Sequence, residues 1–245
     1  MNFLLDIARC PLIPQCLSEK SGASPCDEIV RSQHAKRLDD LQLPEPWSGH
    51  LETAPILFVS SNPSIGKSRG EYPQWNWSDT VITDFFENRF EKWIRDGKYV
   101  RRADGSYRRA TAYWASVRLR AQEILGEEPR PGIDYALTEI VHCKSKHEEG
   151  VAAASEICTS RYLSQVLTLS GARAIVALGK VAQSTLVRTF GIPNRAQLYG
   201  PTRLGERERM VCFLPHPNAR MPRTFATVLK PHQMQTLRSF VHSHS

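Results

Sequence analysis

The sequence predicts a three-layer α/β/α domain with a central, mostly parallel four-stranded sheet. Three observations predict it. Short continuous apolar runs of strand length recur along the chain, segments with helical spacing separate them, and 245 residues that are 41% hydrophobic and 23% charged supply a full core. Continuous apolar runs, unlike alternating ones, belong to strands covered on both faces. Strands separated by helices join through right-handed crossovers into a parallel sheet. The same composition excludes a disordered or collagen-like chain. No apolar run approaches the roughly 20 residues that a membrane-spanning helix needs. The start, MNFLLDIARCPLIPQC, carries an acid at Asp6 and no basic segment leading into a long apolar one, so no secretory leader is expected.

Residues 1–50 read as an irregular segment packed on a main domain of residues 51–245, with one short helix over residues 27–43 that the turn Leu43-Pro44-Glu45-Pro46 ends. The run PILFVS at residues 55–60 is the first buried strand, and it stops at Ser61-Asn62-Pro63-Ser64. Asp79 caps a helix reaching Trp93, because Ile82, Phe85, Phe86, Phe90 and Trp93 recur at helical spacing. Residues 97–109 look like an exposed basic loop. A helix over residues 112–125 precedes Gly126 and a Pro-rich turn, and YALTEIVHC at 135–143 reads as a strand that ends in polar residues. A helix follows over residues 151–169. AIVAL at 174–178 is another buried strand, Gly179-Lys180 opens a helix to Phe190, and MVCFL at 210–214 is the fourth strand. A helix from Thr224, interrupted by Pro231, closes the chain.

The formal charge is +7, and the excess is concentrated. Between Arg95 and Arg120 stand eight bases and two acids, and from Arg203 to the end seven bases and two acids. Two such stretches on a mildly acidic background are what a polyanion-binding face looks like, since each Lys or Arg that meets a phosphate releases counterions. A solvated helix face with a basic tail gives the same count. Six cysteines without a secretory leader leave metal ligation or plain burial, not a disulfide framework; Cys10, Cys16 and Cys26 cluster near the start.

In a parallel sheet, sites form at the carboxyl ends of the strands. Four loops therefore matter: residues 61–68, 139–147, 179–182 and 215–223. The first, SNPSIGKS, comes close to the phosphate-binding GxxxxGKS/T pattern. That pattern wants Gly where Ser61 stands, has no place for Pro63, and launches a helix after Ser68, whereas residues 69–77 contain Gly70 and Pro73. A nucleotide hydrolase is thus a rival reading, and no nucleotide cofactor is expected.

Taken together the four loops resemble the uracil-DNA glycosylase superfamily. Its first strand ends in a short Gly-x-(Asp/Asn/Glu/Ala)-Pro motif, similar to ILFVSSNPS with Asn62 in the catalytic slot and Ser60 where Gly is usual. Its iron-sulfur branch has a strand ending like TNVVKC, which TEIVHC (138–143) resembles, and then a Cys at the start of a helix, similar to Cys158 in EICTSRYL. A strand-helix junction like IVxLGxxA is matched by IVALGKVA (175–182), and a His-Pro-Ser-like turn by His216-Pro217-Asn218.

The resemblance implies a monofunctional DNA glycosylase with DNA as its partner, acting as a cytoplasmic, nucleoid-associated monomer. Hydrolysis of an N-glycosidic bond passes through a cationic sugar and an anionic base, so a positioned water and facing hydrogen-bond donors are needed. Asn62 would hold the water and His216 would donate to the base oxygen. The target base must be flipped out against an aromatic floor. Tyr72, Trp75 and Trp77 follow the catalytic loop, and Trp75 or Trp77 is the expected stacking residue beside Ser61. Ala219, Arg220 and Arg223, with Asn218, form the expected DNA wedge. Ser64, Lys67 and the N–H groups at Gly179 and Lys180 are expected phosphate contacts.

Two departures matter. Where the family's Asn reads uracil, this chain has Glu139. An ionised carboxylate only accepts hydrogen bonds, which suits the N4 amino group of a cytosine, while the protonated form also donates to N3. Glu139 therefore points away from plain uracil towards modified cytosine, as in foreign or phage DNA; alternatively it leaves the pocket to pair with Lys144 or Lys146. The cysteines depart too: the branch pairs residues matching Cys143 and Cys158 with an N-terminal CxxC, and here the spacing is Cys10-x5-Cys16. A [4Fe-4S] cluster would take Cys10, Cys16, Cys143 and Cys158, with Cys26 as the other N-terminal option. Cys143 and His147 alone do not make a zinc site, and Cys212 reads as core. A catalytically inactive DNA-binding module of the same fold is the remaining rival.

Overall fold

The computed structural model describes residues 2–18, 22, 24–66, 72–95, 99–101, 106–109, 112–193, 197–220 and 224–243. Helices α1 (Phe3–Ala8), α2 (Leu12–Ser18) and α3 (Asp27–Arg31) precede strands β1 (Trp47–Ser48) and β2 (Ile56–Ser60). Helix α4 (Asp79–Glu87) leads into β3 (Ile94–Arg95), β4 (Tyr99–Arg101) and β5 (Tyr107–Arg109), then α5 (Ala112–Leu125) and β6 (Tyr135–Glu139). Helices α6 (Val151–Cys158) and α7 (Ser164–Leu169), strand β7 (Ala174–Leu178) and helix α8 (Lys180–Phe190) follow. The chain ends in strands β8 (Leu198–Leu204) and β9 (Arg207–Leu214) and helices α9 (Phe225–Val228) and α10 (Pro231–His242).

Strands β2, β6 and β7 are buried at every residue, as their unbroken apolar runs require of strands covered on both faces. The main sheet has the order β1-β6-β2-β7-β9-β8. The four inner strands are parallel, in register from Ile56 opposite Tyr135 to Leu178 opposite Leu214. Successive side chains point to opposite faces. Leu57, Val59, Ile175, Ala177 and Val211 join α1 to α4 and α6 to α8 in one core. Ile56, Phe58, Val176, Cys212 and Leu214 join α5, α9 and α10 in the other. The result is the expected three-layer α/β/α domain.

The sheet has six strands, not four. The two additions are antiparallel edges: β1 is two residues long, and β8 contains Gly200 and Pro201, which weaken a strand signal and are tolerated at an edge. The second strand ends at Glu139, earlier than the expected Cys143. The helix expected to Trp93 stops at Glu87 and continues as a wider turn over Arg89–Trp93. Another wide turn, Thr159–Leu163, joins α6 to α7, so Cys158 closes α6 and does not start a helix. In place of one helix over 27–43, the described residues of 2–50 hold three short α-helices and a tighter 3-10 turn at Leu38–Asp40; α3 ends before His34, which has a left-handed backbone. Leu4, Ile7, Ile13 and Ile29 are buried in the first core. The stretch read as a basic loop contains β4 and β5, which pair with β3 just before it in a three-stranded antiparallel meander.

Candidate active site

The carboxyl ends of β2, β6 and β9 open on one cavity of about 390 Å³, within the size range of ligand pockets. Ser60 to Ser64, Glu139, Lys144, Ser145, His216 and Asn218 line it, with Glu45, Tyr72, Arg89, Tyr113 and Trp114 behind them. The loop after β2 is tied to the loop after β6: Ile140 N donates to Ser60 O at 2.9 Å, Val141 N to Ser61 O at 2.9 Å and Ser145 N to Pro63 O at 3.2 Å. Those bonds fix Asn62. Its Nδ2 donates to Pro63 O at 3.0 Å and to Ser145 Oγ at 3.1 Å. Among the described residues Oδ1 has only Ser61 Oγ at 3.5 Å, so the amide keeps an open acceptor for a water.

His216 sits in a tight turn closed by Ala219 N donating to His216 O at 2.8 Å. Asn218 N donates to its Nδ1 at 3.2 Å, which places the proton of the neutral ring on Nε2. The imidazole stacks on Tyr113, centroids 5.8 Å apart, and the Tyr113 hydroxyl is hydrogen-bonded to Ser60 Oγ. Burial pushes the His216 pKa below its ordinary value against the opposing pull of Glu148, so the ring is a neutral donor at pH 7. Gly179 packs behind it: a Cβ there would meet the His216 Cβ at 3.1 Å, and its φ of +87° favours glycine.

The electrostatics divide two carboxyl groups. Glu45 receives Arg89 Nη1 at 2.5 Å, Tyr72 OH at 3.0 Å, Ser48 Oγ at 3.0 Å and Lys144 Nζ at 3.4 Å. Burial alone would raise its pKa, but Arg89 and Lys144 outweigh burial and hold it down at about 2. Glu139 is 7% exposed, and its Oε2 has no hydrogen-bond partner among the described residues. Burial, reinforced by the Glu45 charge, pushes its carboxyl well above the usual range against the opposing pull of Lys144 and Arg89, which favours the protonated form. Lys144 is spent on Glu45 and on Ser64 O, the latter at 3.0 Å, while Lys146 is exposed. Glu139 therefore does not leave the pocket to pair with either lysine. Burial brings the Lys144 pKa down to about 8, and its Nζ lies 3.7 Å from the centre of the Tyr72 ring.

Asn62, His216, Glu139, Ser61, Ser64 and Asn218 thus meet at one cavity. Trp75 and Trp77 do not line it. They pack against the first core, Trp77 edge-on to Phe85 at 6.5 Å, and the aromatic residues at the cavity are Tyr72, Tyr113 and Trp114. The Gly179 N–H is no phosphate donor, because it is bonded to Leu214 O at 2.8 Å. Lys180, in the first turn of α8, and Arg220 are exposed, and Ala219 is half-buried. Lys67 and Arg223 lie outside the described residues. The phosphate-loop reading fails on geometry: residues 72–78 form turns, and α4 begins only at Asp79. Sequence reasoning missed Glu45, Arg89, Tyr113 and Trp114; an acid between two prolines and an Arg on a helical stripe of aromatics give no local sign that they meet.

The cysteines converge elsewhere. Cys10, Cys26, Cys143 and Cys158 line one small cavity with Pro44 and Tyr162. Cys16 is fully buried within α2 and does not line it, whereas Cys26 does. Close packing brings it there: a Cβ on Gly150, at the start of α6, would lie 2.3 Å from Ile29 N in α3. Burial pushes Cys26 up to about 11 and Cys158 up to about 12, and it raises Cys143 well above its ordinary value. Among the described residues no group of three or more His, Cys, Asp or Glu is placed to hold a single metal ion. A four-iron cluster binds one thiolate per iron, and these four cysteines, lining one cavity, are the residues that would hold it.

A search of curated proteins finds no match to the chain. The description "Uracil DNA glycosylase superfamily" matches residues 46–238, from just before β1 into α10. The chain belongs to the uracil DNA glycosylase superfamily, whose members are DNA glycosylases.

Proposed function

We propose that the protein is a monofunctional DNA glycosylase that draws a deaminated or modified base into the cavity and hydrolyses its N-glycosidic bond. The observation that carries this reading is the pairing of the open Asn62 Oδ1 with the Nε2–H of His216 at one cavity. As the C1′–N bond breaks, its electron pair leaves with the base. His216 donates to the base oxygen where that charge collects, and the ammonium of Lys144 and guanidinium of Arg89, both lining the cavity, stabilise the anion. A water held by Asn62 Oδ1 then adds to C1′ of the cationic sugar and sheds a proton, leaving an abasic site. Asn62 orients the water without deprotonating it, which suffices when bond breaking runs ahead of attack.

Uracil is the default substrate: neutral Glu139 offers one donor and one acceptor, the pair that O4 and N3–H require. Excision of modified cytosine is the second reading, and the partnerless Oε2 favours it. That oxygen is an acceptor for an exocyclic N4 amino group, and the protonated oxygen donates to N3. Oligonucleotides carrying uracil, hypoxanthine, 5-hydroxymethylcytosine or its glucosylated form, treated with the protein and then hot alkali, separate the two. Breaks at uracil support repair of deaminated DNA, breaks only at modified cytosine support defence against modified DNA, and no breaks contradict both.

We further propose a [4Fe-4S] cluster held by Cys10, Cys26, Cys143 and Cys158. Bound there, it would cross-link the N-terminal helices to the loop after β6 and to α6, at a cavity separate from that of Asn62 and His216.

A further inference from the structure

The meander β3-β4-β5 has two faces of different character, and neither belongs to the catalytic loops. Register places Ile94, Val100 and Arg108 side by side on one face. Ile94 is buried in the second core, and Val100 and Arg108 line the active-site cavity, so this face roofs the pocket. The other face carries Arg95 opposite Tyr99 and Tyr99 opposite Arg109, with Tyr107 two residues before Arg109 on β5. All four side chains are exposed; Tyr99 retains 38% and Tyr107 43% of its surface. The Arg95 guanidinium lies 5.4 Å from the Tyr99 ring centre and 4.5 Å from that of Tyr107, so one cation holds both rings. Among the described residues of this face there is no acid.

We propose that this outer face binds single-stranded DNA, namely the unpaired stretch flanking the nucleotide drawn into the cavity. The inference rests on the glycosylase reading and adds to it a second DNA contact and a preference for unpaired substrate. Exposed aromatic rings interleaved with arginines are what single strands require: bases stack on the rings and phosphates meet the cations. Two tyrosines on adjacent strands suit successive bases of one strand. In a duplex those faces are already stacked on one another. Because Val100 and Arg108 sit on the reverse of the same three strands, a strand held on the outer face runs past the cavity mouth.

The test compares the wild type with Tyr99→Ala/Tyr107→Ala, Arg95→Ala/Arg109→Ala and Tyr99→Phe/Tyr107→Phe. Binding of a labelled oligonucleotide is measured by anisotropy, single-stranded and as duplex, beside excision on both. The double Tyr→Ala variant should bind the single strand about 10- to 100-fold more weakly, with a much smaller change on duplex, and Tyr→Phe should bind as wild type because stacking survives. The double Arg→Ala variant should lower the slope of log affinity against log salt by about 1.4, the value for two lost phosphate contacts on a single strand. Equal losses on single strand and duplex, or wild-type binding by both alanine variants, overturn the inference while leaving the glycosylase reading intact if the wild type still excises. A wild type that binds DNA through this face and excises nothing keeps the surface and removes the glycosylase reading.

Discussion

At the residue scale, Glu45 and Glu139 share two cationic neighbours, yet their pKa values are pushed in opposite directions. Glu45, held at about 2, contributes stability above its unfolded value near 4.5, and that contribution is lost as pH falls towards 2. Glu139 has the reverse sign: the unfolded chain ionises it above about 4.5 while the folded chain keeps it protonated, so it costs stability as pH rises from there. Glu139→Gln should therefore raise stability at pH 7 relative to pH 4, read by urea unfolding at both; an unchanged difference contradicts the protonated state. Glu45→Ala leaves Arg89 and Lys144 buried without their partner and should cost about 3–5 kcal/mol in the same experiment. Excision should fall as pH rises through about 8, where Lys144 loses its charge, and Lys144→Met should lower the rate and flatten that limb. A limb that persists in Lys144→Met assigns it to another group. Asn62, His216 and Glu139 were legible because each ends or follows an apolar strand run, where a parallel sheet puts its site. Glu45 and Arg89 were not, since they reach the cavity through an isolated turn and a helix end that only the tertiary fold brings together.

At the element scale, the joint between β7 and α8 supports His216, the proposed donor. Gly179→Ala adds a Cβ against His216 at a backbone angle that disfavours it, and a shift of a few tenths of an ångström, smaller than the 1 Å that costs about 100-fold, should lower kcat about 10-fold with the fold retained. Wild-type kcat in that variant would mean that the joint does not position His216. The N-terminal helices make a parallel case. Cys26→Ser should abolish visible cluster absorbance in anaerobically purified protein, whereas Cys16→Ser should leave it, because only Cys26 lines the shared cavity; the opposite pattern restores Cys16 as the ligand. Long apolar strands and strongly periodic helices were readable from pattern alone. The short helices α1 and α2, the edge strands β1 and β8 and the meander were not. Two to seven residues carry too little periodicity, and their stability comes from packing and strand pairing with distant segments.

At the scale of the whole molecule, charge counted along the chain does not map simply onto a surface. Arg118 pairs with Glu128 and Arg120 with Glu123, Arg209 is fully buried with Nη2 on Ser170 O at 2.6 Å, and Arg238 bonds Glu123 O at 2.7 Å. The bases left to meet a polyanion include Arg95 and Arg109 on the meander, Lys180 and Arg220. The order of the sheet explains why four weak motifs were informative together. Parallel pairing of β6, β2, β7 and β9 brings loops separated by more than a hundred residues to one edge. The central claim is that this edge hydrolyses a glycosidic bond with a water on Asn62 and a donor on His216. The most direct test is single-turnover release of free base from an oligonucleotide that the wild type cleaves, compared with Asn62→Ala and His216→Ala. The account predicts losses of about 100- to 1,000-fold in each variant with DNA binding retained. Base release at the wild-type rate in both variants would contradict it.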